Sequence, residues 1–273
     1  MNSPISLSPS RACDYRRCPL AYRLRAIDRI PEKKTEAQVK GTLTHAILEN
    51  MHKWPRPERD AEHALAIMKE EWEKICEADP EAAQIFPPSH VVSFFADVEQ
   101  LVRGYFTMEN PQIFDATACE MKVDSILDNG VPIKGFIDRV DVAPTGEVRI
   151  IDYKTGKKPA PQYSEDALFQ MRFYALAYWR IYGVMPKYMQ LMYLKVQDSL
   201  YLTPSAEELE GFEKYVAHIW EQILSDGQTG HFEPRTSPLC KWCSFQSLCP
   251  VFDGKPPAYP GWPGHRTKEG LQN

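Results

Sequence analysis

Gly135-Phe136-Ile137-Asp138 and Ile150-Ile151-Asp152-Tyr153-Lys154 put two carboxylates and an ammonium on neighbouring extended segments. Side chains alternate along a strand, so Asp152 and Lys154 share one face while Ile151 and Tyr153 take the other. Asp128-Asn129-Gly130, between alternating apolar runs, reads as a hairpin turn, and Pro144-Thr145-Gly146 as a second. A turn centred on Asn129 sets Glu120 opposite Asp138, and one centred between Pro144 and Gly146 sets Asp138 opposite Asp152. Three acids then line up across three strands. Directly opposed side chains have Cβ atoms about 5 Å apart, where like charges destabilise a sheet. A cation belongs among them, and Mg²⁺, which takes one or two carboxylates plus water and phosphate, fits that donor set.

The seven cysteines form a second constellation. Cys240, Cys243 and Cys249 are spaced C-x2-C-x5-C near one end, Cys13 and Cys18 lie near the other, and Cys76 and Cys119 stand alone as small buried hydrophobes. Three clustered thiols need a fourth ligand, for which Cys18, followed by Pro19, is the first choice and Cys13 the alternative. Such a site clamps the chain ends together across a loop of most of the sequence. Zinc and an iron-sulfur cluster both take four thiolates, and spacing does not choose between them.

The elements that must position these groups follow from periodicity. A helix begins at Ser10, capped by Ser8 or Ser10, and carries Tyr15, Cys18 and Tyr22 with arginines interleaved. A second, 36–53, presents Val39, Leu43, Ala46, Ile47 and Met51 on one face, with His45 beside it. Pro55 and Pro57 end it, and helical stretches near 60–77 and 89–108 read as an insertion that shapes a cleft. A three-stranded meander over 115–154, a helix over 165–182 with Gln170 and Tyr174 one turn apart, a fourth strand over 186–196 and a helix over 205–225 come next. The Pro- and Gly-rich residues from Gly254 onward are expected to be loosely ordered.

Composition is that of a folded, ordinary globular chain, with 43% hydrophobic and 25% charged residues. No apolar run reaches the ~18–20 residues of a membrane span, and the first residues lack a signal-peptide pattern, so a cytoplasmic location without a membrane partner is expected. The net charge of −5 argues against a nucleic-acid partner. Its distribution argues the other way, because nine basic residues from Arg11 to Lys40 face only Asp14, Asp28, Glu32 and Glu36. A local basic surface on an acidic chain suits a polyanion brought to a carboxylate-rich site.

With Gly41-x3-His45, Glu120, Gly135-x2-Asp138, Asp152-x-Lys154 and Gln170-x3-Tyr174 in that order, the chain resembles the PD-(D/E)XK nuclease superfamily. Cys18-Pro19 far upstream of C-x2-C-x5-C makes it similar to the RecB-like branch with an iron-sulfur cluster, which includes the CRISPR-associated exonucleases and related phage exonucleases. The resemblance implies a single α/β nuclease domain across 1–273: a restriction-endonuclease-like core with a central mixed sheet flanked by helices, a helical insertion at 55–110, and a clip joining the termini. It implies that His45, Asp138 and Asp152, with the backbone carbonyl of Tyr153, hold Mg²⁺ or Mn²⁺, and that Lys154 orients or activates water. Glu120, Gln170 and Tyr174 take supporting catalytic places, and Cys18, Cys240, Cys243 and Cys249 ligate a [4Fe-4S] cluster. The implied activity is exonucleolytic hydrolysis of single-stranded DNA or DNA ends, in recombination, repair or phage DNA processing. A non-catalytic DNA-binding partner in recombination or CRISPR adaptation is the alternative. Tyr15, Arg16, Arg17, Tyr22 and Arg23 are expected to touch the strand by stacking and phosphate pairing. With no Walker-type loop in the chain, strand separation falls to a helicase or recombination protein.

Overall fold

A computed structural model describes residues 4–272. Helix α1 (Pro9–Arg17) is capped by the Ser8 side chain and stops at Cys18, which is extended (φ −162°, ψ 107°). Sequence reading ran this helix through Tyr22. The break is local, because a residue before proline is pushed out of the α region. Pro19 restarts a short turn, α2 (Pro19–Tyr22), which widens into a π-helical turn at Arg23–Ile27. Cys18 therefore sits at a corner of the backbone instead of on a helix face.

Helix α3 (Glu36–His52) opens with a capping box between Thr35 and Gln38. α4 (Ala61–Ala66), α5 (Met68–Ala78) and α6 (Val91–Met108) follow, then β1 (Ala118–Ile126), β2 (Pro132–Val142) and β3 (Val148–Lys154). Gly130 (φ +86°) and Gly146 (φ +88°) supply the left-handed residues of the two hairpin turns. α7 (Glu165–Tyr182) crosses over to β4 (Tyr188–Tyr193), and β5 (Asp198–Leu202) returns antiparallel beside it before α8 (Ala206–Thr229). The fold is a mixed α/β one whose five-stranded sheet runs β1-β2-β3-β4-β5, with β3 and β4 parallel and the other pairs antiparallel. β5 was not anticipated. Its polar ends and the Gln197 turn (φ +52°) hid a strand only five residues long.

Helices cover both faces of the sheet. One face packs against α1, α7 and α8 through Ile137, Val148, Ile150, Phe169, Phe173 and Ile223. The other packs Ile151, Tyr153 and Met192 against α3 and α6 through Leu43, Ile47, Phe94 and Tyr105. The C-terminal stretch departs from the expectation of a loose tail. Tyr259 donates to the Gly227 carbonyl (2.7 Å), the Trp262 ring lies where a Cβ on Gly227 would be (2.4 Å), and Ile5 donates to the Gly264 carbonyl (2.8 Å). A short hairpin, β6 (His265–Thr267) and β7 (Gly270–Gln272), ends the described chain. Glycine makes a flat seat on α8, and aromatic burial supplies the free energy that orders the segment.

Two aromatic residues and one arginine expected at the surface are also inside. Tyr15 and Tyr22 are buried, Tyr15 donating to Asp226 (2.7 Å) and Tyr22 packing edge-on to Tyr15. Arg23 is buried against Asp28 and donates to the Pro257 carbonyl (2.6 Å). Apolar rings on one helix stripe reach the core first, so these three are structural and cannot meet a strand. Arg16 is tied to Glu165 and lies over the Phe169 ring, and only Arg17, paired with Asp166, stays half exposed.

Candidate active site

The hairpin registers follow the turns read from sequence. Cys119 pairs with Arg139 and Met121 with Ile137, and Arg139 pairs with Ile151. The residues between these pairs are the functional ones. Glu120, flanked by paired neighbours, has a left-handed backbone (φ +46°), which is rare for a non-glycine residue and characteristic of functional strain. Asp138 lies where the β2–β3 ladder ends, and its Oδ2 accepts the Tyr153 N–H (2.6 Å) in place of a backbone partner. The strands part there and leave room for side chains.

From the opposite side α3 brings His45, whose Nε2 lies 3.0 Å from the Tyr153 carbonyl oxygen and whose Nδ1 lies 3.5 Å from Asp138 Oδ2. One ligand atom each from His45, Glu120 and Asp138 fall within 4.8 Å of one another. Asp152 was expected in this innermost set but stands just outside it. Its Oδ1 accepts from Gln170 Nε2 (2.7 Å), and its Oδ2 is 2.5 Å from Lys154 Nζ. Lys154 in turn donates to Gln170 Oε1 (2.7 Å). An ammonium and an amide draw the Asp152 carboxylate to their side, and Glu120, re-aimed by its strained backbone, takes the nearer place.

Electrostatics reports the crowding. Burial, then the neighbouring Asp138 charge, pushes Glu120 up to about 7. Burial also raises Asp152, against the pull of Lys154. Burial disfavours charge on His45, but Asp138, with Asp152 and Glu120, outweighs it and lifts the imidazole to about 9. The acids thus sit in a field that wants more positive charge than the chain supplies. Two carboxylates, an imidazole and an adjacent carbonyl are a donor set suited to Mg²⁺ or Mn²⁺, so the residues present fit a divalent ion.

Tyr174, one turn beyond Gln170, is buried beneath Gly135: a Cβ there would stand 2.9 Å from the ring. That explains the glycine three residues before Asp138. Gly41 has no such reason, since a Cβ there would meet only Thr155 Oγ1 at 3.5 Å.

Sequence reading missed the support behind Asp138. Arg139, the next residue and so on the other face, is fully buried. It donates to Tyr153 Oη (2.8 Å), Tyr105 Oη (3.1 Å), His52 Nε2 (3.1 Å) and Glu109 (2.7 Å), and pairs with Asp141. Arg149 pairs with the same two acids, each at 2.7 Å. The signal was available as a long cation inside a run of strand apolars.

Residues 6–250 match the PD-(D/E)XK nuclease superfamily profile. The chain belongs to that superfamily. It is 27% identical to the "Gene 69 protein" of Mycobacterium phage L5 and 28% identical to that of Mycobacterium phage D29, each over 90% of this chain and 96% of the relative. Its fold is shared with a solved Eubacterium rectale protein named "Putative exonuclease" (TM-score 0.58, 16% identity, 87% of this chain and 86% of that one). Among the described residues no helix is long and apolar enough to cross a membrane.

The thiols separate cleanly. Cys18, Cys240, Cys243 and Cys249 line one cavity of about 270 Å³, while Cys13 is buried in α1 near Asp166, its thiol pushed up to about 12 by burial. Backbone N–H groups of Arg235 and Ser237 point at the Cys18 and Cys240 sulfurs (3.4 and 3.3 Å). Among the described residues no three cysteine sulfurs all lie within 4.8 Å of one another.

Proposed function

We propose that this nuclease hydrolyses phosphodiester bonds of DNA as an exonuclease acting on single strands or ends, with Mg²⁺ or Mn²⁺. The observation that carries the reading is the meeting of His45, Glu120 and Asp138 within 4.8 Å, beside an Asp152–Lys154 pair bridged by Gln170. Bound there, the divalent ion supplies polarisation of the scissile phosphate and a lower pKa for the attacking water. Asp138 and His45, with Glu120 and Asp152 beside them, would hold it. Lys154, kept charged by Asp152, stabilises negative charge that develops on the phosphoryl oxygens. Gln170 fixes both partners of that pair, and Tyr174 props the strand that carries Asp138.

We further read Cys18, Cys240, Cys243 and Cys249 as ligands of a [4Fe-4S] cluster. The resemblance supports this, as do the shared cavity and the N–H groups aimed at two sulfurs, a common way of tuning such clusters. Zinc takes the same four thiolates and is the alternative occupant. Iron and sulfide analysis of anaerobically purified protein, compared with Cys240→Ser, decides it. Strand separation would come from a partner such as a helicase or recombination protein.

The decisive experiment incubates 5′- and 3′-labelled single-stranded DNA with Mn²⁺. The parent should degrade it from one end, and Asp138→Ala, Asp152→Asn and Lys154→Ala should not. Variants that cut as fast as the parent would defeat the assignment. Metal-dependent binding without any product would leave the non-catalytic alternative standing.

A further inference from the structure

Two cavities meet at one end of α1. The larger, about 820 Å³, runs from Lys154, Gln170 and Tyr174 past Phe136 to Asp14 and Arg17. The second starts from the same Asp14 and Arg17 and continues along the cysteine clip to Arg235 and Trp242. Asp14 and Arg17 wall both, so the two cavities adjoin, one at the active site and one at the cysteines, as neighbouring stretches of a single trough would. An exposed ring stands toward each end. Phe136, 54% exposed, lies two residues before Asp138 and lines the first cavity together with Lys154 and Gln170, and Trp242, 76% exposed, stands beside Cys243. Lys122, Lys134, Lys154, Lys157 and Arg17 line the first cavity against Asp14, Asp124 and Asp166, and Arg17, Arg25 and Arg235 line the second against Asp14, so both walls are net basic on a chain whose net charge is −5.

Spaced cations with solvent-facing rings match a polyanion whose bases are free to stack. A duplex hides its base faces, and an apolar peptide has no use for the cations. We infer that the trough seats an unpaired nucleic-acid strand, with Phe136 stacking on a base beside the scissile phosphate and Trp242 on a base several nucleotides away. The inference rests on the nuclease reading for its direction and makes the cysteine clip a substrate-binding element as well as a staple. It also replaces the buried Tyr15 and Tyr22 as the aromatic contacts.

The test measures fluorescence anisotropy of labelled oligothymidylate without divalent metal, so that no cutting is needed. Trp242→Ala should weaken a strand of roughly 16 nucleotides by about 5- to 150-fold, the range of one lost base–ring stack, and leave one of about four nucleotides bound as before. Phe136→Ala should weaken both lengths, Trp242→Phe should restore most of the long-strand affinity, and Lys157→Ala should lower the salt slope by about one. The proposal is overturned if Trp242→Ala binds the long strand like the parent, if it loses both lengths equally, if Trp242→Phe does not rescue, or if blunt duplex binds as tightly as single strand. Failure of the parent to cut with Mn²⁺ would instead count against the nuclease reading and leave the binding result intact.

Discussion

Gln170 offers the sharpest test of how the site is held. Its amide orientation is forced by chemistry: an ammonium only donates, so the oxygen must face Lys154, and a carboxylate only accepts, so the nitrogen must face Asp152. Both contacts are 2.7 Å. A hydrogen bond to a charged partner contributes ~1.5–3 kcal/mol, and the lower figure for each of the two bonds sets a minimum. Removing both bonds in Gln170→Ala should then raise the barrier by about 3 kcal/mol, roughly 100-fold in the single-turnover rate with Mn²⁺. Gln170→Asn, one methylene shorter, reaches one partner at a time and should lose about tenfold. Gln170→Glu keeps the shape and the Lys154 contact but sets a carboxylate against Asp152 Oδ1, so it should be at least as slow as alanine. The same bonds satisfy a buried carboxylate and its ammonium in the folded chain, so Gln170→Ala should also lose up to about 3 kcal/mol in urea unfolding, and the rates are compared under conditions where every variant is folded. If alanine and glutamate variants cut within about threefold of the parent, the amide does not lock the pair and the reasoning fails.

Three further outcomes follow from the buried network and the glycines. Arg139 only donates, so His52 Nε2 must accept, and burial with the nearby Arg139 and Arg59 cations lowers His52 from 6.5 to about 3. The unfolded chain therefore binds a proton that the folded one refuses: stability should be full above pH 6.5 and fall on acidification, by about 2 kcal/mol at pH 5. Urea titrations across that range should show the slope, and His52→Gln should flatten it. Arg139→Met leaves Glu109 and Asp141 to Arg149 alone and should cost about 3 kcal/mol in urea unfolding, toward the low end for a broken buried pair; a loss under 1 kcal/mol would mean that the network is not holding β2. Gly135→Ala should cost ~1–3 kcal/mol by driving a methyl into Tyr174 and should slow cleavage, whereas Gly41→Ala should gain up to ~1 kcal/mol of helix stability; equal thermal shifts would refute the contrast.

Much of the catalytic sheet was legible because strand pairing obeys a simple count once a turn is placed. Asn129-Gly130 and Thr145-Gly146 fixed the turns, and the pairs Cys119–Arg139 and Arg139–Ile151 then put Glu120, Asp138 and Asp152 in one row. The count says which face a side chain takes but not how a strand bends. It could not foresee the left-handed Glu120, nor that Asp152, given Lys154 two residues away and Gln170 overhead, would settle toward them instead of into the triad.

The other misreadings share a cause, which is that packing at long sequence separation overrides local pattern. Tyr15, Tyr22 and Arg23 looked like a basic, aromatic stripe because the partners that bury them, Asp226, Phe232 and Pro257, lie more than two hundred residues on. The segment after Gly254 looked loose because its seat, Gly227 on α8 under Trp262 and Gly230 just past the helix under Tyr259, is invisible in its own composition. These errors bear on function. The C-terminal stretch packs on the first helices at Arg23, and their edge at Arg17 lines both the active-site cavity and the cysteine cavity. Rings read as strand contacts therefore fasten the wall, while Phe136 and Trp242, one in a strand and one in a short turn, are left facing outward. Exposure at the end of folding, and not aromatic content along a helix, marks the residues free to meet a substrate.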